Sequence, residues 1–122
     1  MPKKATKTNE FKMIDMHIGF ILTKTSSEQC FSTFLKFIEL YQDKNQISVY
    51  LVGNGVYCAR KDHMAVDKIK NLLNHSKIYA NSDDLKARGI AIEHLINGVI
   101  PFSHYDQVVI DIMENFDQIL SF

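Results

Sequence analysis

Two kinds of apolar spacing alternate along the chain. His17-Ile18-Gly19-Phe20-Ile21-Leu22 is a short unbroken apolar run, the pattern of a strand covered on both faces. Cys30, Phe31, Phe34, Leu35, Ile38 and Tyr41 then recur at helical spacing to about residue 42, behind a capping box of Ser26 and Gln29. Ile47-Ser48-Val49-Tyr50-Leu51-Val52 is a second strand, closed by the turn Gly53-Asn54-Gly55. Ala65, Val66, Ile69, Leu72 and Leu73 mark a second helix, with Asp62 as its expected cap. Lys77-Ile78-Tyr79-Ala80 reads as a buried strand that runs straight into a short helix. For that helix Ser82 is the expected N-cap, Asp83 and Asp84 complement the dipole, Lys86 and Arg88 fill the last turn, and Gly89 ends it in the left-handed region.

Gly98-Val99-Ile100-Pro101-Phe102 predicts a fourth strand, and its proline favours a position near the edge or end of the sheet. Ser103 and Asp106 box the start of a last helix carrying Val108, Val109, Ile112 and Met113, and Gln118 to Phe122 close the chain as a strand. An extra helical turn is expected within residues 90–96. Strict alternation of strand and helix predicts an α/β fold: a three-layer α/β/α sandwich with a mainly parallel sheet of about five strands and right-handed crossovers.

Composition bounds the class. With 122 residues the chain makes one domain, expected over residues 15–122 behind a basic tail of residues 1–14. Residues 1–12 carry four Lys and one Glu, a net +3 that leaves −3 on the rest of a chain whose formal charge is zero. A mildly acidic body argues against a nucleic-acid platform, so contact with nucleic acid is expected to be at most indirect. No apolar run approaches the roughly 20 residues of a membrane helix, and no apolar stretch follows the basic start, so no direct membrane contact and a cytoplasmic location are expected.

A strand delivering its end onto a helix is where parallel α/β proteins place ligands, which makes residues 80–83, Asn81 and Ser82 among them, candidates for ligand binding. Gly53, Asn54, Gly55 and Tyr57, at the end of the second strand, join them. The Gly53-Asn54-Gly55 turn lacks the Gly-Lys-Ser/Thr of a phosphate loop and suits a sharp turn. Cys58 and Cys30 are the two candidate reactive thiols. Cys58 is either a small hydrophobe in the joint or a thiol whose ionisation Arg60 and Lys61 favour; Cys30, in the first turn of the first helix, has the dipole argument. Cys58 and His63 lack a second ligand pair, so no metal is expected, and no cofactor. His104 and Tyr105 are the remaining polar residues near the end of the fourth strand.

Gly53-Asn54-Gly55-Val56-Tyr57, Asp84-Leu85-Lys86-Ala87-Arg88-Gly89 and the closing Ile119-Leu120-Ser121-Phe122, taken in order over about residues 17–122, resemble the DsrE/DsrF/DsrH family, the TusB/TusC/TusD sulfur-relay proteins, and most of all its DsrH/TusB branch. The resemblance implies a flavodoxin-like sandwich and homo-oligomers or hetero-oligomers with DsrE-like and DsrF-like subunits. It also implies persulfide sulfur transfer, in tRNA thiolation or sulfur oxidation, with a sulfur-carrier protein as partner. DsrE/TusD carriers keep their cysteine at the end of the third strand, where this chain has Asn81. DsrH-like members can instead have one in the first helix, about one turn beyond Cys30. A sulfurtransferase subunit acting through Cys30 or Cys58, or a non-catalytic ligand-binding or scaffold module, are the two functions this leaves.

Overall fold

The computed structural model describes residues 16–25, 29–43, 45–103, 106, 110 and 114–122. The tail at residues 1–14, Ser26 of the first capping box, His104, Tyr105, and Val108, Val109, Ile112 and Met113 of the last helix lie outside the described residues, as do the side chains of Gln29 and Cys30.

The elements follow as β1 (His17–Leu22), α1 (Gln29–Tyr41), β2 (Gln46–Leu51), a 3-10 helix (Gly53–Ala59), α2 (Val66–Leu73), β3 (Ser76–Asn81), α3 (Ser82–Ala87), a 3-10 turn (Ile92–His94), β4 (Ile100–Phe102) and β5 (Gln118–Ser121). The five strands form one sheet in the order β4-β3-β2-β1-β5, and every pairing is parallel. The proline-bearing β4 is an edge strand, as its sequence predicts. The extra turn expected within residues 90–96 is the Ile92–His94 segment.

Register sorts the side chains into two faces. Ile18, Phe20 and Leu22 lie beside Ile47, Val49 and Leu51, and Val49 and Leu51 beside Ile78 and Ala80; all but Ile47, at 3%, have no exposed surface. The steps β1 to β2, β2 to β3 and β3 to β4 all move the same way, so right-handed crossovers put α1, α2 and α3 on this face. Phe31, Phe34 and Ile38, one stripe of α1, seal it. Phe20 meets Phe34 edge-on at 5.9 Å and stacks on Phe122 at 6.0 Å.

The step from β4 to β5 reverses direction and brings the chain to the other face. Asp106, Ile110 and Glu114, the described helical residues of that crossover, are exposed. Phe116 closes on this face against His17 at 4.3 Å and Tyr50 at 6.0 Å, and Tyr50 stacks on Tyr79 at 5.0 Å. The result is the three-layer sandwich. No helix among the described residues is long and apolar enough to cross a membrane.

Two caps differ from the sequence expectation. α3 is capped by Asn81, whose Oδ1 accepts the Asp84 N–H at 3.1 Å, while Ser82 is the first helical residue. Asn and Ser are equally good caps, and the strand simply ends one residue later. α2 starts at Val66 with Ala65 before it; Asp62 does not cap it but lies 83% exposed beside Arg60 at 3.7 Å. His63 Nδ1 instead accepts the Ala65 N–H at 3.2 Å.

Candidate functional site

The carboxyl end of the parallel sheet is built from the 3-10 helix after β2 and from α3 after β3. A 3-10 helix has three residues per turn, so side chains three apart eclipse one another. In Gly53–Ala59 that spacing aligns Asn54 and Tyr57, and the column continues to Arg60 at the C-cap. This column faces out, with Asn54 exposed and Tyr57 and Arg60 half-buried, whereas Gly55, Val56, Cys58 and Ala59 are buried.

The two glycines of the expected turn are required for different reasons. Gly53 has φ +54°, in the left-handed region. Gly55 needs space: a Cβ there would overlap the backbone carbonyl of Leu22 at the end of β1.

α3 is clamped to the 3-10 helix by its own polar residues. Asp84 Oδ2 accepts the Gly53 N–H at 2.8 Å. Arg88, one turn on, donates through Nε and Nη2 to Asn54 Oδ1 at 3.1 and 3.0 Å, and through Nη1 to the Asp84 carbonyl at 3.2 Å. Its guanidinium lies 5.9 Å from the Tyr57 ring, and that of Arg60 lies 5.3 Å from the same ring. The helix ends with Gly89 N–H on the Lys86 carbonyl and Ile90 N–H on the Leu85 carbonyl, at 3.1 and 2.9 Å, with Gly89 at φ +71°. Leu85 and Ile90 are both buried beneath that end.

The geometry therefore brings Gly53, Asn54, Gly55, Tyr57, Asn81 and Ser82 to one edge. Asn81 has no exposed surface, and its Nδ2 is buried without a hydrogen-bond partner. Ser82 is half-buried. Cys58 has no exposed surface and belongs to the core that contains Leu22, Val56 and Ile96. Arg60, two residues on, turns to Tyr57 and Asp62. Cys30 stands second in the thirteen-residue α1, where the chain re-enters the fold after β1. Asp84 and Arg88, which hold the edge together, register in the sequence only as dipole-complementing charges. Their spacing of four was the available signal. Burial and the nearby Arg60 hold His63 below the usual histidine range, against a smaller opposing effect of Asp62.

The family model described as DsrH like protein matches residues 25–118. The chain belongs to the DsrH-like family. Two solved structures share the fold of this DsrH-like chain. A protein of unknown function, MTH1491 from Methanobacterium thermoautotrophicum, superposes with a TM-score of 0.75 at 20% identity, over 87% of this chain and 99% of that one. The ychN protein from E. coli gives a TM-score of 0.69 at 12% identity, over 89% and 100%. The search of curated proteins finds no match.

Proposed function

We propose that this DsrH-like chain is a subunit of a cytoplasmic sulfur-relay assembly, serving tRNA thiolation or sulfur oxidation, and that Cys30 is the position at which it carries sulfur. The family match over residues 25–118 supports the relay. The observation that supports Cys30 is the contrast between the two cysteines: Cys58 has no surface for a partner to approach, whereas Cys30 stands in the first turn of α1, where a helix dipole favours a thiolate. In the step itself, the Cys30 thiolate attacks the outer sulfur of a donor persulfide. A new S–S bond forms at Cys30, the donor S–S bond breaks, and the donor leaves as its thiolate with no net change in oxidation.

A second reading has its own observation. Asn81 occupies the end of β3, where carrier relatives keep their cysteine, and its Oδ1 is committed to capping α3. On that reading the chain carries no sulfur and supports DsrE-like and DsrF-like subunits, or holds a small ligand. Incubation with a cysteine desulfurase and cysteine, followed by mass spectrometry, separates the two. The relay through this chain expects an adduct of about 32 Da that Cys30→Ser abolishes and Cys58→Ser leaves intact. No adduct on the wild type, alone or with the partner subunits, leaves the scaffold reading.

A further inference from the structure

We propose that Asn97 is a site of spontaneous deamidation in the folded protein, and that the fold protects the same dipeptide at Asn54. Asn followed by Gly occurs twice in the chain, as Asn54-Gly55 and as Asn97-Gly98. Deamidation requires the backbone nitrogen of the second residue to reach the side-chain Cγ of the asparagine. A glycine in that place has no Cβ to obstruct the approach and lets the backbone turn freely, which makes the dipeptide reactive. The attacking N–H must also be free of any hydrogen bond, and water must have access. The two dipeptides meet these conditions in opposite ways.

Asn97 and Gly98 are both exposed, at the tip of a turn that the Val99 N–H closes on the Ile96 carbonyl at 3.1 Å. No carbonyl among the described residues takes the Gly98 N–H. Gly98 has φ +105°, so the turn requires the very residue that makes Asn97 reactive. Asn54 is held instead. Its Oδ1 accepts from Arg88 Nε and Nη2 at 3.1 and 3.0 Å, and the Gly55 N–H donates to the Val52 carbonyl at 2.9 Å. Gly55 is buried against the backbone carbonyl of Leu22. Swinging the Gly55 nitrogen toward the Asn54 Cγ would therefore break the first turn of the 3-10 helix and the clamp to α3 together.

In the reaction the Gly98 nitrogen gives its proton to solvent and attacks Cγ of Asn97. A C–N bond forms, the Cγ–Nδ2 bond breaks, and Nδ2 leaves as ammonia, which closes a cyclic imide. Water then adds at either imide carbonyl and reopens the ring, giving an aspartate or an isoaspartate at position 97. Nothing is oxidised or reduced, and the exchange of NH2 for OH adds about 1 Da. Either product places a carboxylate in the cavity that Asn97 lines with Lys61 and Lys70. The isoaspartate also puts one extra carbon into the backbone, in the turn that leads into β4 at Ile100. None of this depends on the relay reading above, since it requires neither cysteine and no partner.

The test ages the full chain at about 37 °C and about pH 8, digests samples with pepsin in acid, where the reaction is slow, and maps the added mass by tandem mass spectrometry. Position 97 is expected to convert about tenfold or more faster than position 54 in the native protein, and the two rates are expected to converge in about 8 M urea. An isoaspartyl methyltransferase supplied with a radiolabelled methyl donor should label the aged wild type and label Asn97→Gln much less. Position 97 left unmodified over a period that converts it in urea overturns the proposal. Equal conversion of positions 54 and 97 in the native chain does so too, because control would then lie in the dipeptide and not in the fold. Methyl labelling that Asn97→Gln leaves undiminished is the third contrary result.

Discussion

Asp84 holds Gly53: the carboxylate in the first turn of α3 takes the first backbone N–H of the 3-10 helix at 2.8 Å, across a separation of 31 residues. A charged acceptor on a backbone donor, partly shielded from water, is among the stronger single contacts a small domain makes. It joins the end of β2 to the end of β3, above the core that Val56 of the 3-10 helix and Leu85 of α3 share.

Asp84→Ala is expected to lower stability by about 1–3 kcal/mol in urea unfolding, because the Gly53 N–H loses its acceptor and Arg88 loses its anion. Asp84→Asn keeps an acceptor and is expected to lose less. A double-mutant cycle with Arg88→Ala should show coupling, since the two side chains lie 3.5 Å apart and hold the adjacent residues Gly53 and Asn54. Additive losses would show that the two contacts act separately.

The two glycines of the turn make an internal comparison. Gly55→Ala is expected to cost about 3 kcal/mol, since the added methyl meets a backbone carbonyl that no rotamer change can move. Gly53→Ala has open space around it and loses only the left-handed preference, about 1–2 kcal/mol. Urea midpoints in the reverse order would mean that the close approach to Leu22 relaxes.

The alternation of apolar periods made the sheet and its covering helices legible because each pattern is a direct record of burial: Ile18, Phe20 and Leu22 are sealed, and so are Phe34 and Ile38 at helical spacing. Cap positions were legible only to within one to three residues: Asn81 and Ser82 are equally suited and the pattern does not say which strand residue is last, while Asp62 stands three residues before Ala65, which precedes α2 with no side-chain cap. The site was harder to see for a geometric reason. Reading Gly53-Asn54-Gly55 as a plain turn leaves the orientation of residues 56–60 open, and with it whether Arg60 faces Cys58. Three residues per turn decide the matter: Arg60 joins Tyr57 and Asn54, and Cys58 points to the core. Periodicity over so short a segment is invisible in sequence.

Cys58 should accordingly behave as a core residue. In native buffer a thiol reagent such as dithionitrobenzoate is expected to leave it unmodified, and to label it only in denaturant or through global opening. Cys58→Ser is expected to destabilise by about 1–3 kcal/mol through a buried hydroxyl, and Cys58→Ala by less. Rapid labelling at Cys58 under native conditions, mapped by mass spectrometry, would contradict the burial.

His63 supplies the pH dependence. Its Nδ1 accepts the Ala65 N–H at 3.2 Å, a role open only to the unprotonated ring nitrogen. Burial first, then Arg60, hold its pKa below the ordinary value of 6.5. The unfolded chain therefore binds a proton at His63 before the folded chain does. Above both pKa values the group contributes nothing to the slope. As pH falls through 6.5 the unfolded state gains the proton and native stability declines, levelling off once the pH passes below the lowered folded value. His63→Asn retains an acceptor for Ala65 and cannot titrate. Urea unfolding of the two proteins between about pH 7.5 and pH 5 should show the wild type losing more stability than the variant, all other titrating groups being common to both. Parallel stability curves would show that His63 titrates alike in the folded and unfolded chains, and that the turn before α2 does not depend on its neutral form.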